Sequence, residues 1–524
     1  MKKPQLFAAL SIAALLAACS GRQAARRDTV WPGGSWPRSA PEEQGMDSAR
    51  LAGLFRGIAE EELPIDSVTV IRNGHLVADA HVHPFAPDRK HIIHSCTKSI
   101  VSTLIGIAID QEKLSGVDQK VLEIFPDRAA VVMEEEKRVL TLEHFLTMSH
   151  GLRTRDSYLY RWEGLARMGR SVDWVAHVLA LPMEADPGTR FDYSNCGSFL
   201  LSAVVQEAVG TTSLAYAQEH LFGPLGITDV RWPANPQGIS IGWGEIWLRP
   251  HDMARVGYLF LNGGTWDGKR IVSERWVRQA TRSRIEAETL APQYGYQWWV
   301  DQDEGLFMAL GYGGQYIAVS PRSRLVAVFT SALPETDFFV PRRLILDGMV
   351  AAVASDRPLD ENPQGREELA GWIRRLTDPT PEPVPPLPDT AARVHGRRIE
   401  SDAFAAAIRA MVLEFGEDDG TLRMIFEEEE AVFPFGLDGV ARTTAEETPA
   451  WFTAPVAATG AWLDEDRFRI RLQPLGYSYR QSMEFAFSEN AEVTVRFIND
   501  TTGFAEDVDA EIVDACACCD TIVL

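Results

Sequence analysis

A proline-rich segment divides this chain into two regions whose apolar residues recur with different periods. Residues 377–390 (TDPTPEPVPPLPDT) contain six prolines, and such segments form extended, semi-rigid spacers. After the spacer, apolar residues and arginines alternate over 467–472 (RFRIRL), and further short apolar runs follow at 485–487 and 493–497. A period of two is typical of strands that bury one face. We therefore predict a separate β-rich domain, a sheet or a barrel, over residues 391–510.

The region before the spacer has strand patterns at both ends and helical patterns between them. Two short apolar runs, 68–71 and 76–78, flank Asn73-Gly74, which is a strong signal for a β-hairpin. Residues 116–290 indicate mostly helices and loops. Strand patterns then return at 296–300, 316–319 and 325–329. Strands, helices and strands again indicate one sheet with a helical insertion, and we predict an α+β domain over residues 46–376.

The first residues of the chain have the features of an export signal. Two lysines precede an apolar stretch over 6–18 that is too short to span a bilayer. The stretch ends in Leu16-Ala17-Ala18-Cys19, which resembles the cleavage box of bacterial lipoproteins, and Ser20 resembles the pattern for outer-membrane sorting. We predict a signal peptide over 1–18, lipidation of Cys19 and a tether over 19–45, hence an outer-membrane lipoprotein that faces the periplasm. The alternative is an ordinary secretory signal that contains a cysteine.

The charge of the chain excludes one class of partner. The formal net charge is −23, which argues against a nucleic-acid partner and against electrostatic binding to anionic lipid. Much of this charge lies after position 390, where 26 Asp and Glu face 11 Arg and no Lys. The sequence does not predict an oligomeric state.

Ser95 and Lys98 stand at the start of an apolar run with helical spacing. Positions three apart lie on one face of a helix, so the Lys98 amine can reach the Ser95 hydroxyl. The positive end of the helix dipole would favour the negative charge that forms when this hydroxyl loses its proton. The alternative is a capping serine followed by an exposed lysine. This is the only Ser-x-x-Lys in the chain.

Two further motifs follow in chain order. Tyr193-Ser194-Asn195 is the only Tyr-x-Asn; its phenol could accept the serine proton, and Asn195 could bind Lys98 and a substrate carbonyl. A core tyrosine and a turn asparagine are the alternative. The third motif is Leu310-Gly311-Tyr312-Gly313-Gly314-Gln315-Tyr316, just before the strand residues 317–319. Its glycines indicate either close approach of the backbone to a substrate or an ordinary bulge or turn.

Ser-x-x-Lys, Tyr-x-Asn and a glycine-rich strand in this order resemble the serine β-lactamase and penicillin-binding-protein superfamily. Phrases such as LTMSHGL (146–152) and RPHDMAR (249–255) are similar to the class C-type branch, which includes esterases and 6-aminohexanoate-dimer hydrolases. The resemblance covers about residues 35–355. It implies a β-lactamase-like domain, in which an antiparallel sheet is flanked by helices and a helical subdomain. The region 391–500 is more loosely similar to β-rich domains appended to such hydrolases.

The resemblance implies acyl-enzyme chemistry. Ser95 would attack a small ester or amide, Tyr193 and Lys98 would move the proton, and Lys98 would lower the pKa of the phenol. The backbone N–H groups of Ser95 and Gln315 would hold the oxyanion, and Tyr312, Gly313 and Gly314 would line the oxyanion and substrate site with Gln315. No cofactor or metal is implied, and the histidines show no metal-ligand spacing.

The third motif departs from the family pattern. β-Lactamases carry Lys-Thr-Gly where this chain has Tyr312-Gly313-Gly314, so a cation is missing and β-lactam hydrolysis is in doubt. Two alternatives remain open: a D-Ala carboxypeptidase or β-lactamase, and a non-catalytic binding protein on the same fold.

Cysteines and aromatic residues leave further alternatives. Cys96 and Cys196 each follow a motif residue, and two buried thiols are expected rather than a disulfide. Cys516, Cys518 and Cys519 lie in a tail over 511–524 and lack a fourth zinc ligand, so a disulfide is expected there. Six aromatic residues either line a pocket or pack in the core: Tyr294, Tyr296, Trp298, Trp299, Tyr312 and Tyr316.

Overall fold

A computed structural model describes residues 29–129, 135–156, 161–287, 290–404, 408–444 and 454–513. These residues form two domains, the first mainly before residue 378 and the second after residue 388. The region between them, residues 378–388, contains no helix or strand. The predicted lipidation site Cys19 and the tail cysteines lie outside the described residues. No helix in the described ranges is long and apolar enough to cross a membrane.

The first domain contains most of the helices. They are α1 (Ser48–Glu60), α2 (Cys96–Asp110), α3 (Val121–Ile124), α4 (Pro126–Ala129), α5 (Leu142–Leu146), α6 (Glu163–Gly169), α7 (Trp174–Ala180), α8 (Asn195–Val209), α9 (Ser213–Ala217), α10 (Pro250–Leu261), α11 (Glu274–Ala280), α12 (Val340–Arg343) and α13 (Pro363–Thr377). Short 3₁₀ turns occur at Glu42–Gln44, Glu135–Val139 and Glu335–Asp337, and π-helical turns at Gln218–Phe222 and Leu344–Val350.

The strands of this domain come from both ends of its sequence. They are β1 (Ile65–Arg72), β2 (His75–His81), β3 (His91–Ile92), β4 (Trp247–Leu248), β5 (Thr265–Trp266), β6 (Lys269–Arg270), β7 (Ile285–Glu286), β8 (Gln293–Tyr294), β9 (Trp299–Asp301), β10 (Leu306–Gly311), β11 (Gln315–Ser320) and β12 (Leu325–Ser331). Eight of them form one antiparallel sheet in the order β2-β1-β12-β11-β10-β9-β8-β7. The α+β prediction, with one sheet interrupted by a helical insertion, is confirmed.

The hairpin at the start of this sheet follows its turn signal. β1 and β2 are joined by Asn73 and Gly74, whose φ angles are 52° and 85°. Positive φ at both central residues is what a two-residue hairpin turn of type I′ requires, and Asn-Gly adopts it readily. The predicted strand at 296–300 is only partly right, because Gln297 has a φ of 60° and the strand begins at Trp299.

Each face of the sheet buries a different helix layer. One face packs against α2, α8 and α10, and the other against α1 and α13. Trp298 belongs to the first core and Trp299 to the second, since adjacent residues of an extended chain point to opposite sides. Helix α2 is buried from Cys96 to Ala108, and the Ser-x-x-Lys motif lies at its start.

The second domain is a β-barrel. It contains α14 (Asp389–Val394) and the strands β13 (Arg398–Glu400), β14 (Ala410–Phe415), β15 (Asp419–Ile425), β16 (Glu430–Gly436), β17 (Arg442–Thr443), β18 (Val456–Trp462), β19 (Arg467–Pro474), β20 (Gln481–Phe487), β21 (Glu492–Asn499) and β22 (Ala505–Val513). Neighbouring strands pair in the order β16-β15-β14-β13-β22-β21-β20-β19-β18-β17, and a parallel pairing of β16 with β18 closes the ring. Nine strands therefore form the barrel, with β17 added beside β18.

The apolar residues of the alternating pattern that predicted this domain face the barrel core. Phe468, Ile470 and Leu472 are buried, whereas the intervening arginines are exposed or half-buried. The described barrel extends to Val513, three residues beyond the predicted boundary.

The predicted tether over 19–45 is wrong for its described part. Trp36 is buried in the core of the first domain, and Ser39 N–H donates to the Leu76 carbonyl at 3.2 Å. Prolines, glycines and serines in this stretch suggested a free linker, but its two tryptophans, Trp31 and Trp36, pack against Tyr258 at ring distances of 5.5 and 5.4 Å. Residues 29–45 therefore belong to the folded domain.

Candidate active site

Ser95 stands immediately before helix α2, in the N-cap position. Its side chain makes no capping hydrogen bond to the backbone of the helix, so the hydroxyl is available to other groups. His94, just before it, has a φ of 45°, which turns the chain sharply into the helix. The alternative of a capping serine with an exposed lysine is wrong on both counts, because Lys98 is only 1% exposed.

The Lys98 amine is held by three oxygen atoms. Nζ lies 2.8 Å from Ser95 Oγ, 2.7 Å from Asn195 Oδ1 and 2.7 Å from the Trp243 carbonyl. An amide oxygen and a backbone carbonyl can only accept, whereas a hydroxyl can also donate. When the amine is neutral, its two N–H groups can satisfy Asn195 and Trp243, and its lone pair then faces the Ser95 hydroxyl. The geometry therefore suits a lysine that removes the serine proton.

The electrostatics of Lys98 agree with this arrangement. Burial lowers the pKa of Lys98 to about 7, and the nearby Asp156 carboxylate opposes the shift only partly. Desolvation disfavours the charged form of a buried amine. A substantial fraction of Lys98 is therefore neutral at neutral pH.

Tyr193 approaches Ser95 and Lys98 from the loop before helix α8. Its phenol lies close enough to Ser95 for that serine to affect the phenol pKa, its ring stacks on Trp299 at 5.8 Å, and Lys98 Nζ lies 4.9 Å from the ring centroid. Burial raises the pKa of Tyr193, and the neighbouring Ser95 side chain offsets this only in part. The prediction that Lys98 lowers the phenol pKa is therefore wrong in direction: the lysine is the group whose pKa moves towards neutrality.

Asn195 is fixed by a residue that the sequence motifs did not single out. Its Oδ1 accepts from Lys98, and its Nδ2 donates to the Asp156 carbonyl at 2.7 Å. The Asp156 carboxylate in turn accepts from the backbone N–H of Cys196, at 2.5 Å, in the first turn of α8. Burial raises the pKa of Asp156. Asp156 thus connects the start of α8 to Lys98, and nothing in its sequence neighbourhood marks it.

The third motif is the tight turn between β10 and β11, next to the start of α2. Gly313 and Gly314 have φ angles of 73° and 87°. A Cβ on Gly311 would lie 2.3 Å from the Ile93 carbonyl, so the close approach predicted from the glycines is made to the protein's own backbone. Cys96 Sγ donates to the Gln315 carbonyl at 3.5 Å, which places Gln315 beside the residue that follows Ser95.

The side chains of this turn make structural contacts. Gln315 is buried, and its Nε2 donates to the Ser331 carbonyl at 2.6 Å. The Tyr312 hydroxyl donates to Glu335 at 2.9 Å, and its ring lies 5.7 Å from the ring of His94. These contacts engage the side chains of Tyr312 and Gln315 within the protein. The role of Tyr312, Gly313, Gly314 and Gln315 in substrate binding stays a prediction.

Most of the aromatic residues are core residues. Tyr312 is half-buried, whereas the other five of the predicted set are at most 3% exposed: Tyr294, Tyr296, Trp298, Trp299 and Tyr316. Core packing is therefore confirmed for these five, and Trp299 backs the ring of Tyr193. Cys96 and Cys196 are buried free thiols, as expected.

One group of side chains in the described ranges has the spacing of metal ligands. Ligand atoms of Asp79, His81 and His251 lie within 4.8 Å of one another, and the sequence did not reveal this because His251 is far along the chain. Asp79 already accepts from Thr69 Oγ1 at 3.0 Å and from Arg38 at 3.2 Å. These donors and His251 satisfy the carboxylate without a cation.

Comparison with known proteins agrees with the fold. The chain is 25% identical over 339 residues to the 6-aminohexanoate-dimer hydrolase of Paenarthrobacter ureafaciens, which covers 60% of this chain and 85% of that one. It is also similar to a solved structure named "Putative 6-aminohexanoate-dimer hydrolase from Bacillus anthracis", with a TM-score of 0.50, 18% identity and coverage of 60% of this chain and 86% of that one.

The fold and these relatives define a hydrolase of the serine β-lactamase and penicillin-binding-protein superfamily. A family model described as Beta-lactamase matches residues 42–349, which is more than half of the chain. The chain therefore belongs to the beta-lactamase family.

Proposed function

We propose that this protein is a serine hydrolase that cleaves small esters or amides through an acyl-enzyme on Ser95. The observation that carries the proposal is the position of the Lys98 amine, 2.8 Å from the Ser95 hydroxyl, together with its pKa of about 7. A general base works best when its pKa is close to the operating pH.

The first step forms the acyl-enzyme. Ser95 Oγ attacks the substrate carbonyl carbon while its proton passes to neutral Lys98. The charge that develops on the carbonyl oxygen would be held by the backbone N–H groups of Ser95 and Gln315. When the bond to the leaving group breaks, the Tyr193 phenol supplies the proton and recovers one from protonated Lys98. A positioned base contributes about 10²–10⁴ in rate.

The second step releases the acid. Water attacks the acyl carbonyl, gives its proton to the same Lys98–Tyr193 pair, and Ser95 leaves with a proton restored to its oxygen. Asn195 holds Lys98 in place throughout, because its amide is oriented by the Asp156 carbonyl. The reaction needs no cofactor.

The substrate class rests on chemistry and on the relatives. An acyl-enzyme mechanism serves esters and amides alike, and one relative is named for the hydrolysis of a 6-aminohexanoate dimer. Tyr312 stands where β-lactamases carry a lysine, and its hydroxyl is engaged by Glu335. This favours small neutral esters, short peptides or oligoamides over β-lactams and cell-wall D-Ala peptides.

The proposal is tested with a fluorophosphonate probe and a panel of p-nitrophenyl esters. We expect labelling and turnover in the wild type and neither in Ser95→Ala. The matched control is Ser102→Ala, a fully buried serine of the same helix whose hydroxyl makes no hydrogen bond; it should keep both. A wild type that is neither labelled nor active would favour a binding protein. Rapid turnover of a chromogenic cephalosporin would favour a β-lactamase.

We also propose that the protein is anchored to the outer membrane through lipidated Cys19. The supporting feature is the Leu16-Ala17-Ala18-Cys19 box. Metabolic labelling with a fatty acid in a bacterial host should label the wild type and not Cys19→Ser. A wild type that is secreted without label would instead support an ordinary signal peptide.

A further inference from the structure

The barrel contacts the first domain at the edge of the candidate active site. The connection between β19 and β20, residues 475–480, lies beside the short segment that leads into Ser95. The Ile92 N–H donates to the Gly476 carbonyl at 2.8 Å, and the ring of Tyr477 packs edge-on against Trp247 at 4.7 Å. Neither contact could be predicted from the sequence.

Ser478 lies at the centre of this contact. It is 2% exposed, and its Oγ is 2.5 Å from Nε2 of His94, the residue before Ser95. Burial and the charge of Lys98 lower the pKa of His94 to about 4, so the ring is neutral at physiological pH. The same serine also abuts the β10–β11 turn, since a Cβ on Gly313 would lie 2.5 Å from Ser478 Cβ.

A second barrel segment supports the other side of this turn. The Thr501 carbonyl accepts from the Glu335 N–H at 3.0 Å, and the Glu335 carboxylate accepts from the Tyr312 hydroxyl at 2.9 Å. Tyr312 is the first residue of the turn that ends in Gln315. The barrel therefore holds both the start of α2 and the turn.

We propose that the barrel positions the oxyanion hole, and that Ser478 is the positioning residue that sets the separation of the Ser95 and Gln315 N–H groups. This inference rests on the proposed function. The Ser95 N–H lies at the start of α2 and the Gln315 N–H at the start of β11. Close to the site, these two elements are connected by the weak S–H···O contact between Cys96 and Gln315. A small displacement of a stabilising donor weakens transition-state binding more than substrate binding.

The test compares Ser478→Ala with Ser482→Ala. Both serines are 2% exposed in the barrel, and Ser482 donates to Asp500 at 2.7 Å within the barrel, so both variants lose a buried hydrogen bond. We expect Ser478→Ala to lower kcat for p-nitrophenyl acetate by roughly 10-fold to 100-fold with KM within about two-fold, and Ser482→Ala to leave both constants near wild type. Ser478→Cys, which keeps the side-chain volume, should give an intermediate kcat and serves as the measured variant if Ser478→Ala does not fold.

A double-mutant cycle with His94→Ala identifies the bond itself. Because Ser478 and His94 share one hydrogen bond, the double variant should lose little more kcat than the more impaired single variant. A kcat in both Ser478 variants within two-fold of wild type, or an equal loss in Ser482→Ala, would overturn the inference. An inactive wild type, or an active Ser95→Ala, would instead contradict the proposed function.

Discussion

Lys98 in the candidate site and Asp66 at the contact between the domains are both buried, and both have a pKa of about 7, reached from opposite directions. Burial lowers the pKa of Lys98 and raises that of Asp66, a fully buried residue of β1. Asp66 accepts from Gln473 of the barrel at 2.9 Å, and the charge of Arg480, also from the barrel, partly offsets its burial.

The two groups differ in what they touch. Lys98 contacts a hydroxyl that can give up a proton and act as a nucleophile. Asp66 contacts the Gln473 amide, and its carboxylate oxygen lies 3.6 Å from Nδ1 of His91. Burial lowers the pKa of His91 to about 3. A shifted pKa therefore reports burial in both places, and only the neighbouring nucleophile makes one of them a candidate for catalysis. Changing the two groups separately should affect activity in one case and stability in the other.

The largest effect is expected at Lys98. Replacing it with methionine removes the base and keeps an apolar chain of similar length, so kcat/KM for p-nitrophenyl esters should fall by about 10²–10⁴. Lys137→Met is the matched control, since Lys137 is 4% exposed and donates to the Leu179 carbonyl at 2.9 Å; it should keep activity. Activity of Lys98→Met within ten-fold of wild type would remove Lys98 from the proposed mechanism.

A smaller effect is expected at Asn195. Asn195→Asp places a negative charge 2.7 Å from the Lys98 amine, which should raise the lysine pKa. The acidic limb of the kcat/KM profile should then move to higher pH, with about a ten-fold loss at pH 7 and partial recovery at pH 9. An unshifted profile would show that Asn195 does not contact the group that titrates.

The smallest effect on activity is expected at Asp66, where the change concerns stability instead. Its folded pKa is raised from an ordinary 3.8 to about 7, so the folded state binds more protons than the unfolded state between these values. Protonated Asp66 therefore contributes fully to stability below about pH 4. As the pH rises towards 7, the free energy of unfolding falls by up to about 1.4 kcal/mol per pH unit. Asp66→Asn should lack this slope and should not change the turnover of p-nitrophenyl esters.

Denaturant titrations of wild type and Asp66→Asn at pH 5, 6 and 7 give the difference in unfolding free energy. This difference should change steadily with pH in favour of the asparagine variant. A difference that stays constant over this range would mean that Asp66 titrates normally in the folded protein.

The sequence predicted the parts of the structure that have local signals. The Asn73-Gly74 hairpin, the alternation over 467–472 and the ordered motifs of Ser95, Tyr193 and Gln315 led to the α+β fold, the barrel and a common site. The structure joins Ser95 and Asn195 to Lys98 by hydrogen bonds and places the Tyr193 ring beside Lys98, 4.9 Å from Nζ to the ring centroid.

The missed features depend on tertiary contacts. The Trp243 carbonyl that binds Lys98 is a backbone group, which no side-chain pattern marks. Asp156 and Ser478 lie in loops without periodicity, and the direction of the Tyr193 pKa shift depends on burial. The segment 29–45 has the composition of a linker, yet Trp31 and Trp36 pack against the core of the first domain.

The most direct test of the central claim is the pH dependence of the acylation burst with p-nitrophenyl acetate, measured by stopped flow between pH 5 and 10. With neutral Lys98 as the base, the burst rate should rise with an inflection near pH 7 and then level off, and Lys98→Met should show no such inflection. A burst rate that is independent of pH, or one that inflects near pH 10 as an unshifted lysine or tyrosine would, contradicts the account.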